Sequence, residues 1–308
     1  MPPNRPGPRA RLTAGARPPA ARRAQHLVGL LALASLAATV WLGLWHTPPS
    51  VNLGQLVRLV YVHPPVAWVA YLAFGVTTLA SAAYLWPRTR AAGWDRLAGA
   101  SAEVGVLFAA LTLATGSIWG RPTWGVWWTW DARLTTTALL AVLYIGYLAL
   151  RRVPGDREVV ARRAALAGLI AFADVPVNYL SVYWWRTLHQ TGTVLDPSKQ
   201  VQIHGIMAWT LLLGFCAFTL AYVWLVTERY QVAVLADRMA DEGLEVALAE
   251  RAAEAGMPAA APLAGTLGAA GPAPGAEGLV GAPAGHEPAG QGGSGLAPSG
   301  ETHARVLR

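Results

Sequence analysis

The chain has 308 residues, 54% of them hydrophobic and only 13% charged, with a net charge of +7. A soluble domain of this size carries about 25% charge, so the composition excludes an ordinary soluble enzyme and points to a protein solvated by lipid. The basic residues sit in short clusters between apolar runs, which is the pattern of membrane topology and not of a nucleic-acid face.

Residues 1–25 are rich in Pro, Arg and Ala without apolar periodicity, which predicts a disordered basic tail. Six apolar stretches follow, at 27–45, 65–86, 98–119, 134–150, 164–184 and 204–226. Each is near the roughly 20 residues that cross a bilayer as a helix. Lipid offers no partner to an open backbone, so the spans must be helical. The expected fold is an all-α bundle of six transmembrane helices, occupying residues 26–228, with a tryptophan-rich loop facing outward. Residues 229–256 read as a cytoplasmic surface helix, and the Gly/Ala/Pro-rich stretch 257–308 as a disordered tail.

Orientation follows from the basic residues. The N-terminal tail, the second and fourth loops and the start of the C-terminal segment hold sixteen. The alternate loops hold five: Arg58, Arg121, Arg133, Arg186 and Lys199. The positive-inside rule then places both termini in the cytoplasm and the first, third and fifth loops outside. The single cysteine, Cys216, lies in an apolar run. Alone it makes no disulfide, no redox pair and no covalent haem attachment site.

The third loop carries the densest chemistry. Trp119, Trp124, Trp127, Trp128 and Trp130 fall within twelve residues, between glycines and closed by Asp131. An interfacial aromatic belt accounts for one or two tryptophans per helix end, not five. Glycines permit tight turns that let indole faces converge, and such a surface suits a large, flat, apolar ligand with a polar edge. His63 precedes Pro64 and Pro65 at the outer start of the second span, and His189 follows the fifth. Two imidazoles on one membrane face could ligate a haem iron from opposite sides; the alternative is a pair of hydrogen-bonding residues at helix ends. Arg121, Arg133 and Arg186 are candidates for pairing with carboxylates, with lipid headgroup contact as the competing reading. His46, His204, His26, His286 and His303 are set aside as ligands: His46 for want of an aromatic context, His204 because it opens the sixth span. Asp131 is expected either to pair with Arg133 or to orient a ligand. Glu103 and Asp174 are intramembrane acids, given no site role.

The string Trp124-Gly125-Val126-Trp127-Trp128-Thr129-Trp130-Asp131 resembles the WGxxWxWD signature of the haem-handling proteins of cytochrome c biogenesis, a group that includes CcmC, CcmF and CcsA. Six spans, with one outward histidine before the second and another after the fifth, resemble CcmC, over about residues 25–230. The resemblance implies a non-enzymatic protein of the bacterial inner membrane. It would carry haem b as transient cargo and present it on the periplasmic side to the haem chaperone CcmE. CcmA/CcmB, an ABC transporter, and CcmD would be its partners, with membrane lipid around it. It further implies that His63 and His189 are the axial ligands and that Trp119 to Asp131 form the haem platform. A solute-transporter subunit, a CcsA-like haem lyase component and an electron-transferring cytochrome b are the competing readings. The chain has no G-x-x-x-x-G-K-[ST] loop, so energised export would need a partner.

Overall fold

The computed structural model describes residues 18–50, 53–189 and 203–254. The expectations for 1–17 and 257–308, and those for Lys199, His286 and His303, lie outside them. The described chain is helical, with no strand among the described residues and only an isolated bridge between Ser50 and Gly54.

The helices are α1 (Pro19–Trp41), α2 (His63–Leu85), α3 (Ala92–Trp124), α4 (Ala132–Arg152), α5 (Arg157–Phe172), α6 (Asp174–Trp184) and α7 (Ile206–Glu254). A π-helical turn, Leu42–His46, prolongs α1, and a 3-10 helix, Gln55–Tyr61, precedes α2. With α5 and α6 as one run, six helical segments are long and apolar enough to cross a membrane. Many large apolar side chains stay exposed, among them Ile170 and Leu79 at more than 70%. That surface fits hydrocarbon and not water.

Lipid gives helices no hydrophobic reason to associate, so close packing of small residues must do it. Alanine and glycine dominate the buried faces of α3 and α5. A Cβ added at Gly105 would meet the Phe74 ring at 2.6 Å. Phe74 in turn stacks on Tyr144, centroids 3.8 Å apart, joining α2 to α4. The sixth span packs on α2 and α3 through the Phe108–Phe218 and Trp68–Phe215 ring pairs and the Ser101–Tyr222 hydrogen bond of 2.8 Å.

Three boundaries differ from the sequence reading. The first helix begins at Pro19, inside the stretch 1–25 expected to be disordered. Proline at the start of a helix costs no hydrogen bond, and the alanines and arginines that follow are helix formers. The described part of the segment expected at 229–256, residues 229–254, is no separate surface helix. It continues the sixth span without a break, because nothing between Val226 and Gly243 stops a helix. The 49 residues of α7 measure about 74 Å at about 1.5 Å per residue. Arg96 to Asp237 (2.6 Å) and Arg157 to Asp241 (2.8 Å) tie its extension to the segments around α3 and α5. Lastly, α3 runs five residues past 119, so half of the tryptophan segment is helix and not loop.

Glu103 is ion-paired to Arg229 of α7. Asp174 is buried where α5 gives way to α6, and one of its oxygens finds no partner among the described residues. Pro176, two residues on, has no N–H for the carbonyl four residues back, which accounts for the break.

Candidate functional site

Successive spans alternate in direction, so the ends of the first, third and fifth meet the starts of the second, fourth and sixth. His63, the tryptophan segment, Asp131 and His189 therefore share one end of the bundle, and Arg90, Arg151 and Arg157 the other.

The last turns of α3 organise the tryptophan end. The helix passes through Pro122 and stops at Gly125, whose φ of 82° is the left-handed cap that glycine adopts without strain. Arg121 donates to the Gly125 carbonyl at 2.8 Å and so closes that cap. Gly116 and Gly120, four apart, lie on one face of α3. The His63 ring lies over Gly116, where an added Cβ would stand 3.1 Å from Cε1, and the Trp124 ring lies over Gly120.

His63 is the first residue of α2. Its Nδ1 lies 2.9 Å from Thr115 Oγ1, and the Trp119 ring meets it edge-on at 5.8 Å. The Thr115 hydroxyl proton is committed to the Leu111 carbonyl at 2.7 Å. Only a lone pair faces His63, so Nδ1 carries the proton and Nε2 the free lone pair.

His189 reaches the same state by another route. Asp131 caps α4, accepting from the N–H groups of Arg133 (2.9 Å) and Leu134 (3.3 Å). The same carboxylate accepts from the Leu188 N–H at 2.7 Å and from His189 Nδ1 at 3.2 Å. Nδ1 is again the protonated nitrogen, and Nε2 is again free. Such a carboxylate–imidazole pair is the usual outer partner of a metal-ligating histidine. Trp124 meets the His189 ring at 4.9 Å. Burial would raise the Asp131 carboxyl. Hydrogen bonds from the Thr187 hydroxyl and the Leu188 and Leu134 amides, with the neighbouring His189 ring, outweigh it and hold the carboxyl below its ordinary range. Burial pushes His189 down; Asp131 restores only part of the loss, so the ring is neutral at pH 7 and able to bind metal.

The structure thus divides the sequence candidates. His63 with Trp119, and His189 with Trp124 and Asp131, form two adjoining clusters. Arg133 lies within electrostatic reach of both imidazoles, whereas Arg121 is exposed and gives one N–H to its helix cap. Trp127, Trp128 and Trp130 point outward, Trp130 at 81% exposure; Trp128 and Trp130 meet edge to face at 5.6 Å. They follow Gly125, whose left-handed backbone ends α3, on the exposed stretch before α4. Trp130 instead lines, with Trp185 and Arg186, a shallow groove of about 540 Å³. His204 is exposed ahead of α7, and His26 is exposed in α1. His46 is exposed too, but its ring lies 5.9 Å from Trp41, so it does have an aromatic neighbour; the π turn brings the two together. The sequence reading missed Thr115 and Gly116, whose only signal was the small-x-x-x-small spacing Gly116/Gly120. Among the described residues no cluster of three or more His, Cys, Asp or Glu could hold a bare metal ion. Two free imidazole nitrogens suit instead an iron whose other positions are already filled.

Residues 15–245 match the family model described as CcmC, heme exporter protein C. The heme exporter protein C of Haemophilus influenzae is 35% identical over 209 residues, 68% of this chain and 84% of that one. Its namesake in Bradyrhizobium diazoefficiens is 38% identical over 196 residues, 61% of this chain and 73% of the relative. A putative ccmC-like mitochondrial protein of cytochrome c biosynthesis in Marchantia polymorpha is 32% identical over 211 residues, 68% of this chain and 88% of its own length. With three quarters of its length inside the family model, and six membrane-spanning helices with a tryptophan-rich end, this chain belongs to the CcmC, heme exporter protein C, family.

Proposed function

We propose that this protein holds haem b, as cargo, at the periplasmic face of the bacterial inner membrane and presents it to the haem chaperone CcmE for c-type cytochrome maturation. One observation carries the reading. Two imidazoles from different spans stand at one end of the bundle, each hydrogen-bonded through Nδ1, each with Nε2 free, each against a tryptophan. His63 and His189 are the axial ligands in this reading. Trp119 and Trp124 pack beside them, Arg133 faces the propionates, and Trp127, Trp128, Trp130 and Arg186 are left for the chaperone and the headgroup layer. The protein carries haem and does no chemistry on it. CcmA/CcmB and CcmD are its companions. The filled bundle core, with Phe74 stacked on Tyr144, supports a carrier at the membrane surface over a conduit through it.

The experiment is a deletion strain together with the spectrum of the purified protein. Deletion should abolish c-type cytochromes and leave b-type haem, and the protein should copurify with haem when the chaperone is present. Normal cytochrome c in the deletion strain would refute the function.

Orientation belongs to the same proposal. With sixteen basic residues on one side against five on the other, both termini are placed in the cytoplasm. A topology reporter fused after Gly125 should report the outer compartment, and one after Arg152 the cytoplasm. The reverse pattern would turn the model over.

A further inference from the structure

Asn178 lies in the membrane-spanning part of α6 and is only 1% exposed. Its amide joins three helices. Its Oδ1 accepts the hydroxyl of Tyr71 on α2. Its Nδ2 donates to Thr136 Oγ1 at 2.7 Å, to Thr137 Oγ1 at 2.9 Å and to the Arg133 carbonyl at 3.2 Å, all on α4. The amide cannot sit the other way round. Both threonine hydroxyls give their protons to carbonyls of their own helix, Thr136 to Ala132 at 2.8 Å and Thr137 to Arg133 at 2.7 Å. Only lone pairs remain to face α6, so the NH2 group must point to α4 and the C=O to α2.

The three joined helices are those that carry the candidate site. His63 is the first residue of α2, two turns above Tyr71. Asp131 caps α4, one turn above Thr136. The chain leaving α6 reaches His189, which Asp131 holds. In lipid the helices have no hydrophobic reason to keep one register, so packing and interhelical hydrogen bonds must fix it. One buried amide bonded to all three is therefore placed to set how far apart the two imidazoles stand.

We propose that Asn178 is the positioning residue that fixes the separation of His63 and His189, and with it their simultaneous hold on one haem iron. The proposal rests on the ligand reading above and adds to it a residue that never touches haem.

The test uses full-length protein purified with haem and compares Asn178→Leu, Tyr71→Phe and the two histidine variants. Asn178→Leu keeps the branched outline of the side chain, with bulkier methyl groups in place of the amide, and removes every one of the bonds. It should accumulate with unchanged helix content, show a mixture of low-spin and high-spin ferric haem, and retain about tenfold less haem, the lower end of what outer partners of metal-bound histidines contribute. Free imidazole should return the low-spin spectrum of haem that still comigrates with the protein in gel filtration, which a general loss of structure would not allow. Tyr71→Phe deletes one hydroxyl and should shift the spectrum the same way, more weakly; it decides the matter if Asn178→Leu does not accumulate. Wild-type spectra and retention in both variants, beside altered spectra in His63→Ala and His189→Ala, would overturn the role of Asn178 and leave the ligands standing. Unaltered spectra in the histidine variants would sink the ligand reading and this proposal with it.

Discussion

Replacing His63 or His189 by alanine is expected to lower the haem retained by the purified protein at least about tenfold, the equivalent of about 1.4 kcal/mol, and to convert its spectrum to that of a five-coordinate or weakly liganded iron. Each imidazole presents an unprotonated Nε2, because Thr115 fixes the tautomer of one ring and Asp131 that of the other. On the proposed reading, removing a ring would take away one coordinate bond while leaving its neighbours, Trp119 or Trp124, in place. Free imidazole should then enter the vacated space and partly restore the spectrum. His46→Ala and His204→Ala should do neither, since both rings are exposed and outside the two clusters. Retention of the wild-type spectrum in both alanine variants would show that the iron is held elsewhere.

Asp131 should prove the next most sensitive position, and its two substitutions should separate its two tasks. Alanine removes the helix cap, worth about 1 kcal/mol. It also strands the Leu188 N–H and releases His189 from its tautomer. Asparagine is as good a cap as aspartate, so α4 should keep its start and the protein its stability. The neutral amide is a weaker acceptor for the Nδ1 proton, and the iron–imidazole bond should weaken with it. Haem retention is expected to fall about tenfold in Asp131→Asn and more in Asp131→Ala, with melting temperature lowered only in the latter. Equal haem retention in wild type and Asp131→Asn would mean that the carboxylate serves the helix cap alone.

Much of this architecture was legible without coordinates. The apolar runs give six helical spans because a run of roughly 20 apolar residues crosses hydrocarbon as a helix, with its backbone groups paired within the segment. Counting spans places His63, the tryptophan segment and His189 at one end, since antiparallel neighbours must alternate. The helix ends were less legible. Hydropathy marks where lipid stops, not where the helix does, so α3 ran on through Arg121 and Pro122 to its glycine cap, and α7 continued for about eight turns past its apolar segment. Five clustered tryptophans were legible as a group, but not that Trp119 and Trp124 pack on histidines while Trp127, Trp128 and Trp130 are exposed.

What the sequence determined by itself is the set of parts and the side of the membrane they share, because both follow from local composition and from the parity of the spans. What only the tertiary structure decided is which group holds which. His63 meets Thr115 across 52 residues, Asp131 meets His189 across 58, and Asn178 joins Tyr71 to Thr136 and Thr137. Those pairings depend on the rotation and register of packed helices, set by where glycine and alanine let backbones approach. Hydropathy carries no information about rotation, so neither the imidazole tautomers nor the buried amide could be read before the helices were seen together.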